Sequence, residues 1–420
     1  MTEAEVFTAV ETMARNARAA SYKLSQLSTQ TKNEILRAMA AELRARTPEI
    51  VTANGLDLEA GTLKGLSQPM LERLKLDEKK VEAIASGIDQ VVALPDPVGQ
   101  VMEAWTRPNG MRLEQVRVPI GTIGIIYESR PNVTSDAAVL CFKTGNATIL
   151  RGGSEAIHSN RAIAEALQTG GEKAGLPEHA IQLIPFTDRS SVSALCRMDK
   201  WLDLIIPRGG KSLIETVVSQ ARMPVIKHYD GICHLFVDEH ANLDMAVKLT
   251  VDSKTQKPGV CNALETLLVD AAVAKSHLPA IAAALREKGV ELRGCERTRG
   301  FIEAKEATEE DWGTEYLDLI LSVKIVDSLP AAVDHINTYG SHHTECIVTE
   351  DPGAAEVFLS ACDSACVFHN VSTRLADGEE FGFGAEIGIS TDKLHARGPM
   401  GLRELTSYQY QVRGEGQTKG

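Results

Sequence analysis

From residue 118 onward the chain alternates short β-rich runs with helical stretches of ten or more residues, and nothing else in the sequence constrains its fold as strongly. The runs fall at 118–127, 147–151, 181–185, 202–206 and 224–227. Strands joined by helices pair in parallel, with right-handed crossovers, in a sheet covered on both faces. After a loop at 252–262 the alternation restarts, with strands at 263–269, 316–326 and 346–349 and helices reaching 286 and spanning 331–337. A second doubly wound α/β domain is therefore expected. Residues 2–90 read instead as helices, in which Ile35, Leu36, Met39 and Leu43 recur at helical spacing behind an N-cap at Ser28 or Thr29. The turn Pro108-Asn109-Gly110 joins 100–107 to 111–118 as a hairpin, and 405–410 alternates like an edge strand.

Charge removes whole classes of function. Against 44 Lys and Arg stand 57 Asp and Glu, a formal charge of -13. Such a surface has no electrostatic pull toward phosphate backbones or anionic lipid, so neither nucleic acid nor a membrane is an expected partner. The longest apolar stretch, 118–127, holds two glycines and is too short to span a bilayer. No basic segment followed by an apolar core opens the chain. The eight cysteines include no C-x-x-C spacing, which argues against a disulfide framework and a zinc knuckle. A cytoplasmic protein with reduced thiols is expected, and the N-x-S/T sequons at Asn132 and Asn370 then carry no glycan.

Two nucleotide-binding signatures fail. No G-x-G-x-x-G turn opens a helix after the first strand, and the Gly382-Phe383-Gly384 cluster lies in the tail with the wrong spacing. Gly210-Lys211-Ser212 matches the end of a P-loop, but Ile205 stands where its first glycine is required.

Two segments concentrate chemistry. In 254–262, Cys261 follows Pro258 and Gly259 and is flanked by Lys254 and Lys257, whose charge favours the reactive thiolate. A lone cysteine is also commonly a small buried hydrophobe, and local chemistry leaves both readings open. In 339–345, two imidazoles, small hydroxylated residues and Glu345 precede the apolar run at 346–348. They sit at a strand's mouth, where open α/β sheets bind ligands, or they form a capping loop. No H-E-x-x-H spacing accompanies them, so no metal is expected.

Taken together these segments resemble the aldehyde dehydrogenase superfamily along almost the whole chain. Pro119-x-Gly121, Gly145-Asn146 and Arg151-Gly152-Gly153-Ser154-Glu155 are similar to its run holding the adenosine side of NAD(P). Ala241-Asn242-Leu243-Asp244 resembles its A-D-L-D helix start, Glu315-Tyr316-Leu317 its E-I-F, and Cys261 falls on its catalytic thiol. The closer resemblance is to the branch of γ-glutamyl-phosphate reductases. Val326, Ala332, Val333, His335, Ile336, the block 339–345 and Ile347 fit that branch's signature, and 128–134, 257–262, 381–390 and 395–399 are characteristic of it. No kinase segment precedes them, which suits the stand-alone form.

The resemblance implies an aldehyde-dehydrogenase-like α/β fold: two doubly wound domains, for cofactor and catalysis, plus a small oligomerisation hairpin. The implied boundaries are 1–255 for the NADP-binding domain, with the hairpin 100–118 inserted, 256–370 for the thiol domain, and 371–420 returning to the cofactor and oligomerisation region. The implied reaction is NADPH-dependent reduction of L-glutamyl 5-phosphate to L-glutamate 5-semialdehyde in proline biosynthesis, through a thioester on Cys261. The Cys261 N–H and Asn132 are the implied oxyanion donors. Arg151, Ser154 and Lys211 are candidate contacts to the phosphates of NADP(H), and Glu315 to the nicotinamide ribose. Arg130, Lys257, His343 and Arg397 are candidate cations for the trianionic substrate, with Ser341 and Thr344 as hydroxyl donors. Thirteen residues before Ala241, where hydrolytic members carry a water-activating glutamate, stands His228, read either as a substrate contact or as structural. A homodimer or higher oligomer is expected, and glutamate 5-kinase, source of the labile substrate, is the candidate partner. The other seven cysteines read as packing.

Overall fold

The computed structural model describes residues 1–419. Its contacts divide the chain into two compact units, Met1–Lys227 with Phe383–Gly388 and Met400–Gly420, and His228–Gly382 with Ile389–Pro399. The first change of unit falls at 227/228, not at 255/256 as expected, and the tail is shared between the units.

Unit 1 opens with five helices, α1 (Glu3–Leu24), α2 (Thr29–Ala45), α3 (Thr47–Leu63), α4 (Gln68–Leu74) and α5 (Glu78–Ala93). Ser28 caps α2, its hydroxyl accepting from the Thr31 N–H at 3.1 Å, and Ile35, Leu36, Met39 and Leu43 are fully buried as their spacing requires. A hairpin, β1 (Val101–Thr106) and β2 (Arg112–Pro119), leads into β3 (Thr122–Tyr127), α6 (Asn132–Lys143), β4 (Ala147–Arg151), α7 (Ile157–Lys173), β5 (Ile181–Leu183), α8 (Ser190–Leu195), β6 (Leu204–Arg208) and α9 (Lys211–Gln220). β3 to β6 form a parallel sheet in the order β5-β4-β3-β6.

The run expected at 118–127 is two strands. Gly121, at φ +130°, breaks it and gives its N–H to the Asn146 side chain at 2.8 Å, so β2 stays with the hairpin and β3 enters the parallel sheet. The run at 224–227 makes only an isolated bridge, Val225 to Ile205.

Unit 2 contains β7 (Cys233–Val237), α10 (Leu243–Thr255), β8 (Leu264–Asp270), α11 (Ala271–Glu287), β9 (Glu291–Gly294), α12 (Glu296–Arg299), β10 (Lys305–Glu306), β11 (Ile320–Val326), α13 (Leu329–Tyr339), β12 (Thr344–Val348), α14 (Pro352–Ala361) and β13 (Cys366–His369). They build a seven-stranded parallel sheet, β10-β9-β11-β8-β7-β12-β13, with an apolar cluster on each face. β7, which the sequence did not suggest, lies between β8 and β12, and its pairing assigns 233–255 to this unit. Residues 316–319, expected to start a strand, precede β11 as coil. A two-stranded pair, β14 (Ile389–Ser390) and β15 (Gly398–Pro399), follows, and β16 (Thr406–Arg413) returns to unit 1 as an edge strand antiparallel to β2. Among the described residues no helix is long and apolar enough to cross a membrane.

α13 carries a buried titratable side chain, His335, 4.6 Å from the Tyr339 ring and 5.6 Å from that of Trp312. Burial, then the neighbouring His234 and the Lys324 ammonium, push its pKa from 6.5 down to about 3. Between these values the unfolded chain binds a proton that the folded chain refuses, so stability falls as pH drops below about 6.5. The loss of thermal stability between pH 7 and pH 5 should therefore be shallower in His335→Gln than in the parent, as read by calorimetry.

Candidate active site

At the carboxyl ends of β3, β4 and β6, unit 1 holds a cleft of about 980 Å³. Parallel sheets place ligands at this edge because the connections there diverge around the strand ends. Arg151 ends β4 on the wall, mostly buried, its Nε 3.3 Å from Ser191 Oγ, and burial lowers its pKa. Ser154, Gly210 and Ser212 share the wall, and Lys211 opens α9 between the last two. Two carboxylates to which the sequence assigned no role stand there as well. Glu128 Oε2 accepts the Gly210 N–H at 3.0 Å, and Glu155 Oε1 accepts the N–H and hydroxyl of Ser129 at 2.6 and 2.7 Å. A third, Asp57, caps α7 by accepting the N–H groups of His158 and Ser159 at 3.1 and 2.7 Å. Arg130 and Asn132 lie in the turn that starts α6, both exposed, and the Asn132 amide donates to Asp136 at 2.8 Å.

In unit 2, Cys261 is half-buried in the loop between α10 and β8. The loop is anchored behind it: Asn262 donates its side-chain N–H to Ala376 O at 3.0 Å and accepts the Thr373 hydroxyl on its carbonyl at 2.8 Å. The segment leading into β7 is pressed against Cys261. A Cβ built on Gly231 would lie 2.0 Å from the Cys261 carbonyl oxygen and 2.5 Å from its Cα. The Gly231 N–H goes to Glu315 Oε1 at 2.9 Å, the Ile232 N–H to Ser341 Oγ at 2.8 Å, and the Cys233 thiol to the Cys261 carbonyl at 3.2 Å. Next in line, His234 meets the wholly buried Glu345 twice, through its N–H at 3.1 Å and its Nδ1 at 2.8 Å.

Several expectations need correction. Lys254 lends no free charge to Cys261, because its ammonium pairs with Glu265 at 2.6 Å with both side chains wholly buried. Burial lowers the Lys254 pKa and raises that of Glu265, each countered by the other's charge. Lys257 is the exposed cation of the loop. His343 and Thr344 are fully buried, the His343 Nδ1 lying 2.8 Å from Thr344 Oγ1, which makes them supports of the loop and not surface donors. Arg397 is committed to Asp363, through Oδ1 at 2.8 Å and the carbonyl at 2.9 Å. His228 has its Nδ1 3.0 Å from the Ile389 carbonyl and its ring edge-on to His343 at 5.7 Å. The loops carrying Cys261 and Ser341 run into strands, so this cluster gathers at the amino ends of β7, β8 and β12, opposite to the edge where open sheets usually bind ligands.

A model of the aldehyde dehydrogenase family matches residues 3–293. The chain belongs to that family. Gamma-glutamyl phosphate reductase of Moorella thermoacetica is 56% identical to it over 411 residues, 98% of each chain. The crystal structure of gamma-glutamyl phosphate reductase from Thermotoga maritima is 45% identical, covers 98% of this chain and 100% of that one, and superposes with a TM-score of 0.96. An engineered glycolyl-CoA reductase solved with bound NADP+ shares only the fold, at 14% identity and a TM-score of 0.68 over 96% of each chain. This aldehyde dehydrogenase family member is thus an enzyme of the gamma-glutamyl phosphate reductase branch.

The Gly231 contact leaves no room for a side chain. Gly231→Ala should displace the backbone of the candidate thiol Cys261 and lower kcat about a hundredfold, the cost that misplacing a reacting group by an ångström can reach, while circular dichroism shows a folded protein.

Proposed function

We propose that the enzyme reduces L-glutamyl 5-phosphate to L-glutamate 5-semialdehyde with NADPH, releasing phosphate, by way of a thioester on Cys261. The observation that carries this reading is the half-exposed thiol of Cys261 on a backbone pinned from both sides, by Gly231 and Cys233 before it and by the Asn262 anchors behind it. A nucleophile held so firmly gives up little freedom when it attacks.

The Cys261 thiolate attacks the acyl carbon, the carbon–oxygen bond to the phosphate breaks, and the electron pair leaves with phosphate. One difficult displacement becomes two easier ones. Developing negative charge on the acyl oxygen is assigned to the Cys261 N–H and the Asn132 amide. His228 supports this course, since no carboxylate stands there to turn water on the thioester. The substrate's own charge is assigned to Arg130 and Lys257, both exposed, with Ser341 as a hydroxyl partner.

The cleft of unit 1 fits a phosphorylated dinucleotide in its donor set. Arg151 offers a mostly buried guanidinium at a strand's carboxyl end, and Ser154, Ser212 and Gly210 line the same cleft. We assign Arg151, Ser154 and Lys211 to the phosphates of NADP(H) and Glu315 to the nicotinamide ribose. The bound cofactor supplies the hydride that lowers the acyl carbon to the aldehyde level. Cys261 is then released as the semialdehyde departs.

The same reading makes unit 1 the cofactor unit and unit 2 the acylation unit. A second copy of the chain is the proposed partner for the sheet β1-β2-β16, whose Val101, Met102, Tyr408, Tyr410 and Val412 are exposed. Glutamate 5-kinase is proposed on the lability of an acyl phosphate, and the cytoplasm on eight free thiols.

Run backward, semialdehyde-dependent NADP+ reduction should require phosphate, and activity indifferent to phosphate would overturn the proposal. Cys261→Ala should abolish turnover and leave NADPH binding, followed by its fluorescence, within about twofold. Arg151→Gln should weaken NADPH about tenfold, the loss of a charge-assisted hydrogen bond, and NADH far less.

A further inference from the structure

Among the seven cysteines that the chemistry above does not use, Cys233 differs in what it touches. It is fully buried, and its thiol donates to the carbonyl of Cys261 at 3.2 Å, the nearer of its two partners, with His343 Nδ1 at 3.7 Å. Burial, with the negative charges of Glu345 and Cys261 adding to it, raises its pKa well above that of an ordinary cysteine. It therefore remains an S–H donor throughout the working pH range. Donation by itself is unremarkable here, because the buried thiols of Cys346 and Cys196 also reach carbonyls, of Val371 at 3.0 Å and of Val217 at 3.9 Å. What sets Cys233 apart is the identity of its acceptor and the backbone that delivers it.

That backbone is irregular at this point. Cys233 pairs with Leu264 on β8, yet His234 pairs with Thr266, so Glu265 is skipped and the ladder bulges between Cys233 and His234. Bulges re-aim side chains and recur beside active sites. Two residues earlier, the bare face of Gly231 closes on the same Cys261 carbonyl, leaving 2.0 Å to an imagined Cβ. The carbonyl thus has a wall on one side and a donor on the other. Since it is bonded to the Cα that carries the nucleophile's side chain, holding it restricts rotation about the Cα–C bond of Cys261.

We propose that Cys233 is a positioning residue for the reaction: its S–H fixes the Cys261 carbonyl and thereby the line along which the Cys261 sulfur meets the acyl carbon. This rests on Cys261 being the nucleophile. Cys233 itself touches neither substrate nor cofactor and forms no bond during turnover.

Three variants of the full chain test it: Cys233→Ala, which removes the donor, Cys233→Ser, which keeps one, and Cys261→Ala. Phosphate-dependent semialdehyde oxidation gives kcat and KM, and the mass shift on alkylation of Cys261 by iodoacetamide gives its intrinsic reactivity. Iodoacetamide needs an accessible thiolate but no fixed approach. Cys233→Ala should lower kcat about tenfold with KM and the alkylation rate within twofold of the parent, and Cys233→Ser should recover most of the lost kcat. A kcat within twofold of the parent in Cys233→Ala overturns the proposal. So does an equal loss in the Ala and Ser variants, or alkylation that slows in step with turnover, which would mark a packing role. If Cys233→Ala lacks a cooperative thermal transition, Cys233→Val supplies a donor-free side chain with more bulk, judged by the same criteria. Turnover retained in Cys261→Ala would instead remove the nucleophile reading on which the role of Cys233 depends.

Discussion

Unit 2 depends on how the first residues of β7 are held between β8 and β12. Four consecutive positions each engage a different neighbour: Gly231 reaches Glu315, Ile232 reaches Ser341, Cys233 reaches Cys261 and His234 reaches Glu345. A parallel strand cannot be tied to its neighbours by a tight hairpin, so its entry point must be fixed by side chains and backbone donors arriving from distant segments. Here those donors and acceptors also surround the proposed site. The strand's register and the geometry of the proposed nucleophile are consequently one constraint, satisfied together or lost together.

The titratable side chains buried around this entry follow the same economy of placement. Lys254 with Glu265, and His234 with Glu345, are fully withdrawn from water. Such pairs are a poor source of net stability, because desolvation offsets most of the attraction, but removing one partner strands the other at a cost of roughly 3–5 kcal/mol. Their effect is to make alternative arrangements expensive. Glu265 is the residue skipped at the bulge, and its second oxygen accepts the N–H of Leu317 at 3.2 Å, two residues beyond Glu315. A buried charge pair, a ladder irregularity and the placement of a proposed cofactor ligand are therefore linked within a few residues.

What could be read from the sequence follows from the distance over which each signal acts. The strand at 147–151, the hairpin and the buried face of α2 are set by local periodicity and turn chemistry, and they stand where that chemistry puts them. Cys261 was proposed from its motif and not from its surroundings. Lys254 looked like an activating charge because Glu265, which consumes that charge, belongs to the next strand. β7 was invisible for a related reason: only Leu235, Phe236 and Val237 form an apolar run, while Cys233 and His234 earn their burial from partners 28 and 111 residues away. The block 339–345 was expected at the edge where open sheets bind ligands, yet it precedes β12 and so lies at that strand's amino end.

One pairing orders events in time. β16 lies against β2, joining residues 406–413 to 112–119, and the sheet they share with β1 has its full width only when both are present. On a ribosome, β2 emerges nearly 300 residues ahead of its partner, so the hairpin waits with an unfilled edge through the synthesis of all of unit 2. A late strand closes an early sheet, and any association that uses the whole sheet must wait for residues 406–413.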